Sequence, residues 1–196
     1  MKTAERVALI LTLWVGVVGT WAVSSILAQS TDLEEAKRLN NQVMQLYGQG
    51  KYAEAALLAQ KALNIHVKAL GPDHPDVATS LNNLAVLYYA QGQYAQAEPL
   101  CKRSLVIVEK ALGPDHPNVA TSLNTLAGLY KAQGQYAQAE PLYKRSLAIW
   151  EKALGSDHPN VAISLNNLAK LYRKSGREKE AEALEKRAAA IKAVKR

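Results

Sequence analysis

The sequence predicts an all-α fold, an array of about four stacked helical hairpins behind an N-terminal segment of different character. Three observations predict it. A block of 42 residues repeats without insertion from Leu70 onward, and residues 70–111 match residues 112–153 at 35 of 42 positions. Within each block, apolar residues recur every three or four positions, the period of a helix face. The composition, 48% apolar and 21% charged with no Phe, fits a packed helical chain, excludes a mainly disordered one and argues against a β-sandwich or barrel.

The N-terminal segment comes first. Lys2 and Arg6 flank an uncharged stretch that runs from Val7 to Thr31. Its core, Val7 to Val18, has the length of a signal-peptide apolar region, and Ala28 and Ser30 on either side of Gln29 offer a cleavage site before Thr31. An uncleaved anchor fits as well, since residues 7–28 as a helix reach about 33 Å, enough to cross the hydrocarbon core. Residues 1–30 therefore read as a signal peptide or a transmembrane anchor. In both readings the remainder is delivered across the membrane, to a periplasmic, lumenal or secreted destination. No Cys follows the apolar run, which argues against lipoprotein attachment there.

Residues 31–196 carry the array, in units at about 32–70, 71–112, 113–154 and 155–194. In the first unit Tyr47-Gly-Gln-Gly-Lys-Tyr52 is a turn, followed by Ala55, Ala59 and Ala62. Asp32, with Glu35 three residues on, predicts the N-cap of its leading helix. The second and third units each read as two helices. Leu81, Leu84, Ala85 and Tyr88 mark the first helix of one, and Leu123, Leu126, Ala127 and Tyr130 that of the next. Gln91-Gly-Gln93 and Gln133-Gly-Gln135 break the period, and a second helix follows through Ala97, Leu100, Cys101 and Leu105, matched by Ala139, Leu142, Tyr143 and Leu147. Gly71, Gly113 and Gly155 sit where a helix C-terminus takes a left-handed residue. Asp73, Asp115 and Asp157 then read as N-caps, with Pro75, Pro117 and Pro159 in the first turn that follows. In the fourth unit Lys174-Ser-Gly-Arg177 keeps the turn. The last helix, rich in Glu, Lys and Arg, has Glu185 where Tyr143 stands one unit earlier, and a polar helix of this kind suits a cap with no neighbour to cover it.

The pattern Leu-x-x-Leu-Ala…Tyr…Gly-x-Tyr…Ala resembles the tetratricopeptide repeat, in the 42-residue form of kinesin light chain, whose repeats also carry a Leu-Gly-x-Asp-His-Pro linker. The resemblance covers residues 32–194. It implies a right-handed α-solenoid that places the first helix of every hairpin along a concave groove, and a role in binding protein segments.

The placement of the differences between units points to a binding surface. Residues 70–111 and 112–153 differ at seven positions. Three of these, Asn83/Thr125, Val86/Gly128 and Tyr89/Lys131, are spaced three residues apart on the first helix and so share one face. The fourth unit offers Asn167, Lys170 and Arg173 there. The packing residues Leu84, Ala85 and Tyr88 do not change between the two units, so the stripe varies free of core duty, as a solvated face or as a surface tuned to a ligand. Asn82, Asn124 and Asn166 are the same residue in all three units. A carboxamide both donates and accepts, which suits the backbone of an extended peptide, and the resemblance implies that use; ties between neighbouring helices are the other reading. Lys131, Lys170, Arg173 and Lys174 make the groove more basic towards its end, which predicts a ligand with acidic side chains or a free carboxylate.

The other chemistry-bearing residues read as structural. His74, His116 and His158 recur once per unit in the linker, about 10 Å apart at helix-packing distance, too far to share a metal and well placed for helix capping. Cys101 takes a core position and has no second cysteine to pair with. No metal-binding cluster, phosphate loop, catalytic triad order or paired catalytic carboxylates occurs, so the reading is non-enzymatic and without a cofactor. The net charge of +7 concentrates in residues 170–196, where ten Lys/Arg and four Glu leave +6. A localised excess interspersed with Glu178, Glu180, Glu182 and Glu185 argues against nucleic acid. Two other readings remain open at this level: an array that self-associates, and a basic C-terminal helix that binds anionic lipid or nucleic acid.

Overall fold

Glycine decides where each helix stops. In the turn inside a hairpin, Gly92 takes φ +73°. Its N–H donates to the Tyr89 carbonyl, and the Gln93 N–H to the Tyr88 carbonyl at 2.9 Å. These are the two bonds of a Schellman motif, which satisfy carbonyls a helix end leaves free. The same pair recurs at Gly50, Gly134 and Gly176. Between hairpins the glycine works differently. Gly113 has φ +86° and ψ 160°, outside the expected left-handed helical region and in one open essentially to glycine alone.

The computed structural model describes residues 27–194. Eight helices are described and no strand among those residues: α1 over residues 27–48, α2 Tyr52–Leu70, α3 Pro75–Ala90, α4 Tyr94–Leu112, α5 Pro117–Ala132, α6 Tyr136–Leu154, α7 Pro159–Lys174 and α8 Glu178–Val194. They pair into four hairpins, and the second helix of each packs on the first of the next, α4 on α5 and α6 on α7. Residues 1–26, and with them most of the expected signal or anchor, lie outside the described residues. Of the described helices none is long and apolar enough to cross a membrane. Ala28 and Ser30 fall within α1, where the Gln29 carboxamide donates to the Ala69 carbonyl at 2.7 Å. Asp32 is likewise inside α1 rather than at its cap, and pairs with Lys68 at 3.6 Å.

The caps of α3, α5 and α7 are histidines, not the expected aspartates. His74, His116 and His158 each accept, through Nδ1, the backbone N–H two residues on, in Asp76, Asn118 and Asn160. Proline follows each cap at the first helical position, where its missing N–H costs nothing. Two of the aspartates are engaged elsewhere: Asp73 pairs with Lys110 at 3.2 Å and Asp115 with Lys152, which ties those two linkers to the second helix that follows. The core is a run of small and aliphatic residues. Val77, Ala78, Leu81 and Ala85 are wholly buried in α3, and Cys101 is buried in α4 at 1% exposure, in one cluster with Ala85. Burial pushes the Cys101 thiol up to about 12, so it stays protonated and inert. Ser104 and Ser146 are the buried polar members of the second helices. Their hydroxyls donate to the Ala78 and Ala120 carbonyls of the preceding helix at 2.8 and 2.7 Å.

His66 of α2 lies half-buried with Nδ1 2.7 Å from Ser80 Oγ. Burial holds its pKa below the ordinary 6.5, against an upward pull from Asp76 and with a small downward push from His74. The folded state therefore binds this proton more weakly than the unfolded chain does. Its contribution is whole above about pH 6.5 and is lost as pH falls through the lowered value. Urea midpoints at pH 7.5 and pH 5 should differ more for the native chain than for His66→Gln, and equal differences would refute the assignment.

Candidate functional site

Helices α1, α3, α5 and α7 lie side by side along one face of the array, and among the hollows they line two have opposite character. The first, about 260 Å³, lies between α1 and α3 and is lined by Val43, Met44, Tyr47, Asn83, Val86 and Leu87. Met44 is 69% exposed, unusual for a methionine beside a packed core, and Tyr47 and Tyr89 are also exposed. Each of these tyrosines leans on the first residue of the next helix: Tyr47 on Tyr52 with ring centres 5.3 Å apart, and Tyr89 on Tyr94 at 5.7 Å. Met44 and Tyr47 escaped the sequence reading. The signal was present, because the 42-residue register carried upstream puts them at the positions of Val86 and Tyr89.

The second pocket, about 400 Å³, lies between α5 and α7 and is lined by Lys131, Lys170, Arg173 and Lys174. Lys131 is half-buried, its Nζ 5.9 Å from the centre of the Tyr143 ring, where the ring face attracts a cation. Burial, and then the neighbouring charges of Lys170 and Lys174, hold its pKa below the ordinary lysine value. Arg173 lines the same pocket but is not the free cation expected. Its Nε and one terminal nitrogen grip both oxygens of Glu185, at 2.9 and 2.7 Å, and its other terminal nitrogen bonds Glu178.

The asparagines behave unequally, and the reason is visible in the repeat. Asn124 Oδ1 accepts from Asn167 Nδ2 at 3.0 Å, a tie from α5 to α7. One unit earlier the acceptor is Asn82 and the donor position is Thr125. Thr125 turns its hydroxyl back to the Thr121 carbonyl of its own helix at 3.1 Å. Asn82, only 9% exposed, is left with an Oδ1 that is buried and has no hydrogen-bond partner among the described residues. Asn166 is half-buried at the matching position of the last hairpin, and Asn83 is exposed between the apolar pocket and a small polar cleft it lines with Asn82. Of the expected groove residues, then, Asn124, Thr125, Asn167 and Arg173 have their polar groups engaged within the array, whereas Asn83, Val86, Tyr89, Lys131 and Lys170 face pockets or solvent. Among the described residues no group of three His, Cys, Asp or Glu is placed to hold a metal ion.

The sequence profile of the tetratricopeptide repeat matches residues 34–105, 81–152 and 122–193 in overlapping registers. The chain belongs to the tetratricopeptide repeat family. Solved structures of similar architecture include BtubC (BKLC) from P. vanneervenii, with a TM-score of 0.71 and 25% identity over 81% of this chain and 63% of that one. The tetratricopeptide array described here thus spans less than two thirds of that protein. A putative kinesin light chain from Podosopora anserina with nearly identical TPR-like repeats matches over 100% of this chain and 99% of its own, at 29% identity and a TM-score of 0.63. A single-substitution variant of that protein gives 0.66 at the same identity. No curated protein matches the chain. Tetratricopeptide repeats generally mediate protein–protein interaction.

The unpaired Asn82 yields a direct test of the packing. Thr125→Asn supplies the donor that Asn167 supplies one unit later, and should raise stability by about 1 kcal/mol, the net worth of one buried hydrogen bond. Asn167→Thr should cost about 1–2 kcal/mol by orphaning Asn124. Urea denaturation of both variants checks the pair, and a Thr125→Asn chain less stable than the native would contradict this reading of the ladder.

Proposed function

We propose that the array is a non-catalytic interaction module that binds an extended, acidic protein segment along the face formed by α1, α3, α5 and α7. The single observation that carries this reading is the polarity of the two pockets. An apolar hollow at Met44, Tyr47 and Val86 and a lysine-lined hollow at Lys131, Lys170 and Lys174 lie two hairpins apart on one face. Two helix spacings make about 20 Å, roughly six residues of extended chain. A segment with an apolar side chain at one end and carboxylates at the other complements both. Lys131, Lys170 and Lys174 have no carboxylate partner among the described residues, so an acidic ligand meets charges the fold leaves uncompensated. The other arginines of the C-terminal hairpin are engaged, Arg177 with Glu140 and Glu180 and Arg187 with Glu151, while Lys179, Lys186 and Lys192 of α8 are exposed and in no ion pair among the described residues. What favours the groove over the C-terminal helix as the anion-binding surface is that Lys131, Lys170 and Lys174 line one hollow, whereas the lysines of α8 line none of the pockets described.

Acetyl-hexaglutamate amide, titrated by isothermal calorimetry with hexalysine as control, tests the charge preference. The native chain should bind the acidic peptide alone, and Lys131→Glu with Lys170→Glu should weaken it at least tenfold while helix content holds. Undiminished binding by that variant would move the site off the groove.

The proposed setting is across a membrane, with residues 1–30 as the export signal or residues 7–28 as the tether. The supporting pattern is Lys2 and Arg6 ahead of the uncharged run. N-terminal sequencing of the protein from its own cells decides between the two: a start at Thr31 selects the signal, and an intact Met1 in the membrane fraction selects the tether. An intact Met1 in the soluble cytoplasmic fraction would refute both.

A further inference from the structure

The chemistry of the cationic pocket narrows its ligand further, on the premise that the groove binds a peptide. Six charged groups define it. Lys131, Lys170, Arg173 and Lys174 line the hollow, and Glu178 and Glu185 are bonded to Arg173. Four cations and two carboxylates leave the site at +2. That charge is not spread evenly, because both carboxylates are engaged by the guanidinium and the three lysines stand uncompensated. The arrangement also decides which donors remain. A guanidinium offers a planar fork that matches a planar carboxylate, and here that fork already holds Glu185 with two bonds. What faces the pocket is a set of three ammonium groups, each a compact point charge with donors in several directions. Three such groups around one centre suit three non-bridging oxygens of a tetrahedral anion better than the two oxygens of a carboxylate. Lys131 adds a second bias. Half-buried over the Tyr143 ring and repelled by Lys170 and Lys174, it gains most from an anion of high charge density.

The geometry points to a phosphoryl-binding site in the pocket of Lys131, Lys170 and Lys174, which receives a phosphorylated side chain of a bound peptide. A phosphoserine carries about −1.5 to −2 at neutral pH, close to the +2 of the site, whereas an aspartate carries about half of that. At about 400 Å³ the hollow exceeds a lone anion and has room for the side chain that bears it. The apolar pocket on the same face gives the rest of a peptide a second contact, which neither free phosphate nor a lipid headgroup would use.

Calorimetry on the full chain with a peptide that carries a leucine six residues from the phosphoserine, acetyl-Leu-Gly-Ala-Gly-Ala-Gly-phosphoserine-Gly-amide, tests the assignment, with Asp or Ser in the phosphoserine place as controls. The phosphopeptide should bind at least tenfold more tightly than the Asp peptide. Lys131→Met with Lys170→Met should remove most of that margin while leaving helix content and melting midpoint near native. If that variant fails to fold, the side-chain signals of Lys131, Lys170 and Lys174 in the native chain should still move with the phosphopeptide and not with the Ser peptide. Equal affinity for the Asp and phosphoserine peptides overturns the phosphoryl assignment and leaves the acidic-peptide reading intact. Inorganic phosphate that binds as tightly as the phosphopeptide overturns the peptide as its source. Vesicles containing phosphatidylinositol phosphate that compete more strongly at the same lysines overturn it in favour of a membrane. Binding of neither peptide, with hexaglutamate also inert, removes both readings together.

Discussion

The array depends on a backbone constraint that recurs twice per unit. A glycine at positive φ closes the turn inside each hairpin, and a second, at φ near +86° and ψ near 160°, releases the chain into the next. Between them the helices can have only one length. The first helices α3, α5 and α7 are each 16 residues, and the second helices α2, α4 and α6 are each 19. Constant lengths keep every first helix in the same rotational setting, so residues 42 apart in sequence occupy equivalent places on one face. A left-handed or extended positive-φ backbone is costly for any residue with a Cβ, and an insertion would rotate the following helix by about 100° per residue. The groove is therefore a consequence of register, and register is a consequence of two glycines.

Given that register, the chemistry of the face changes by substitution in a few columns while the core stays fixed. The column at 47, 89, 131 and 173 reads Tyr, Tyr, Lys and Arg. The position twelve residues on, in the second helix, reads Ala59, Cys101, Tyr143 and Glu185. The two columns vary together where they touch. Lys131 rests over the ring of Tyr143, and Arg173 is held by Glu185. A ring beneath leaves a cation its charge for a ligand, whereas a carboxylate beneath consumes it. The residue of the second helix thus sets what the exposed residue of the first can offer.

The sequence makes the hairpins, their turns and the variable stripe legible, because each is written in spacing: a gap-free period, a 3–4 apolar repeat and differences three residues apart. What it does not disclose is which of two adjacent polar groups takes a given bond. Asp73 and His74 are both good caps in isolation. Histidine is the cap in all three linkers, although Asp73 and Asp115 are drawn to Lys110 and Lys152 while Asp157 is in no ion pair among the described residues, so the aspartate's pairing does not decide the choice. The ladder of Asn82, Asn124 and Asn166 looks uniform, yet its bonding depends on the next unit, where Asn167 has a carboxamide to give and Thr125 has only a short hydroxyl that its own helix claims. The release of charge at Lys131 and its capture at Arg173 are invisible for the same reason, since the deciding partners lie twelve residues on in a different helix. Met44 and Tyr47 are the exception. Register alone places them, and the divergence of the first unit obscured it.

The last hairpin solves two problems with the same substitutions. Glu178, Lys179, Glu180 and Glu182 of α8 are exposed, and polar residues stand on this helix where earlier second helices carry aromatic ones. Glu178 replaces the tyrosine of positions 94 and 136, and Glu185 replaces Tyr143. The carboxylates that make this end of the array soluble lie on the side of α8 that borders α7, where they grip Arg173. Without them, four cations would share one hollow and repel, with the charge on Lys131 already disfavoured by burial. With them, the guanidinium becomes part of the wall, and the three lysines remain as the charge the groove can offer. Capping the solenoid and tuning its most basic pocket are therefore one event in the sequence, so altering Glu185 for solubility would also alter what the pocket binds.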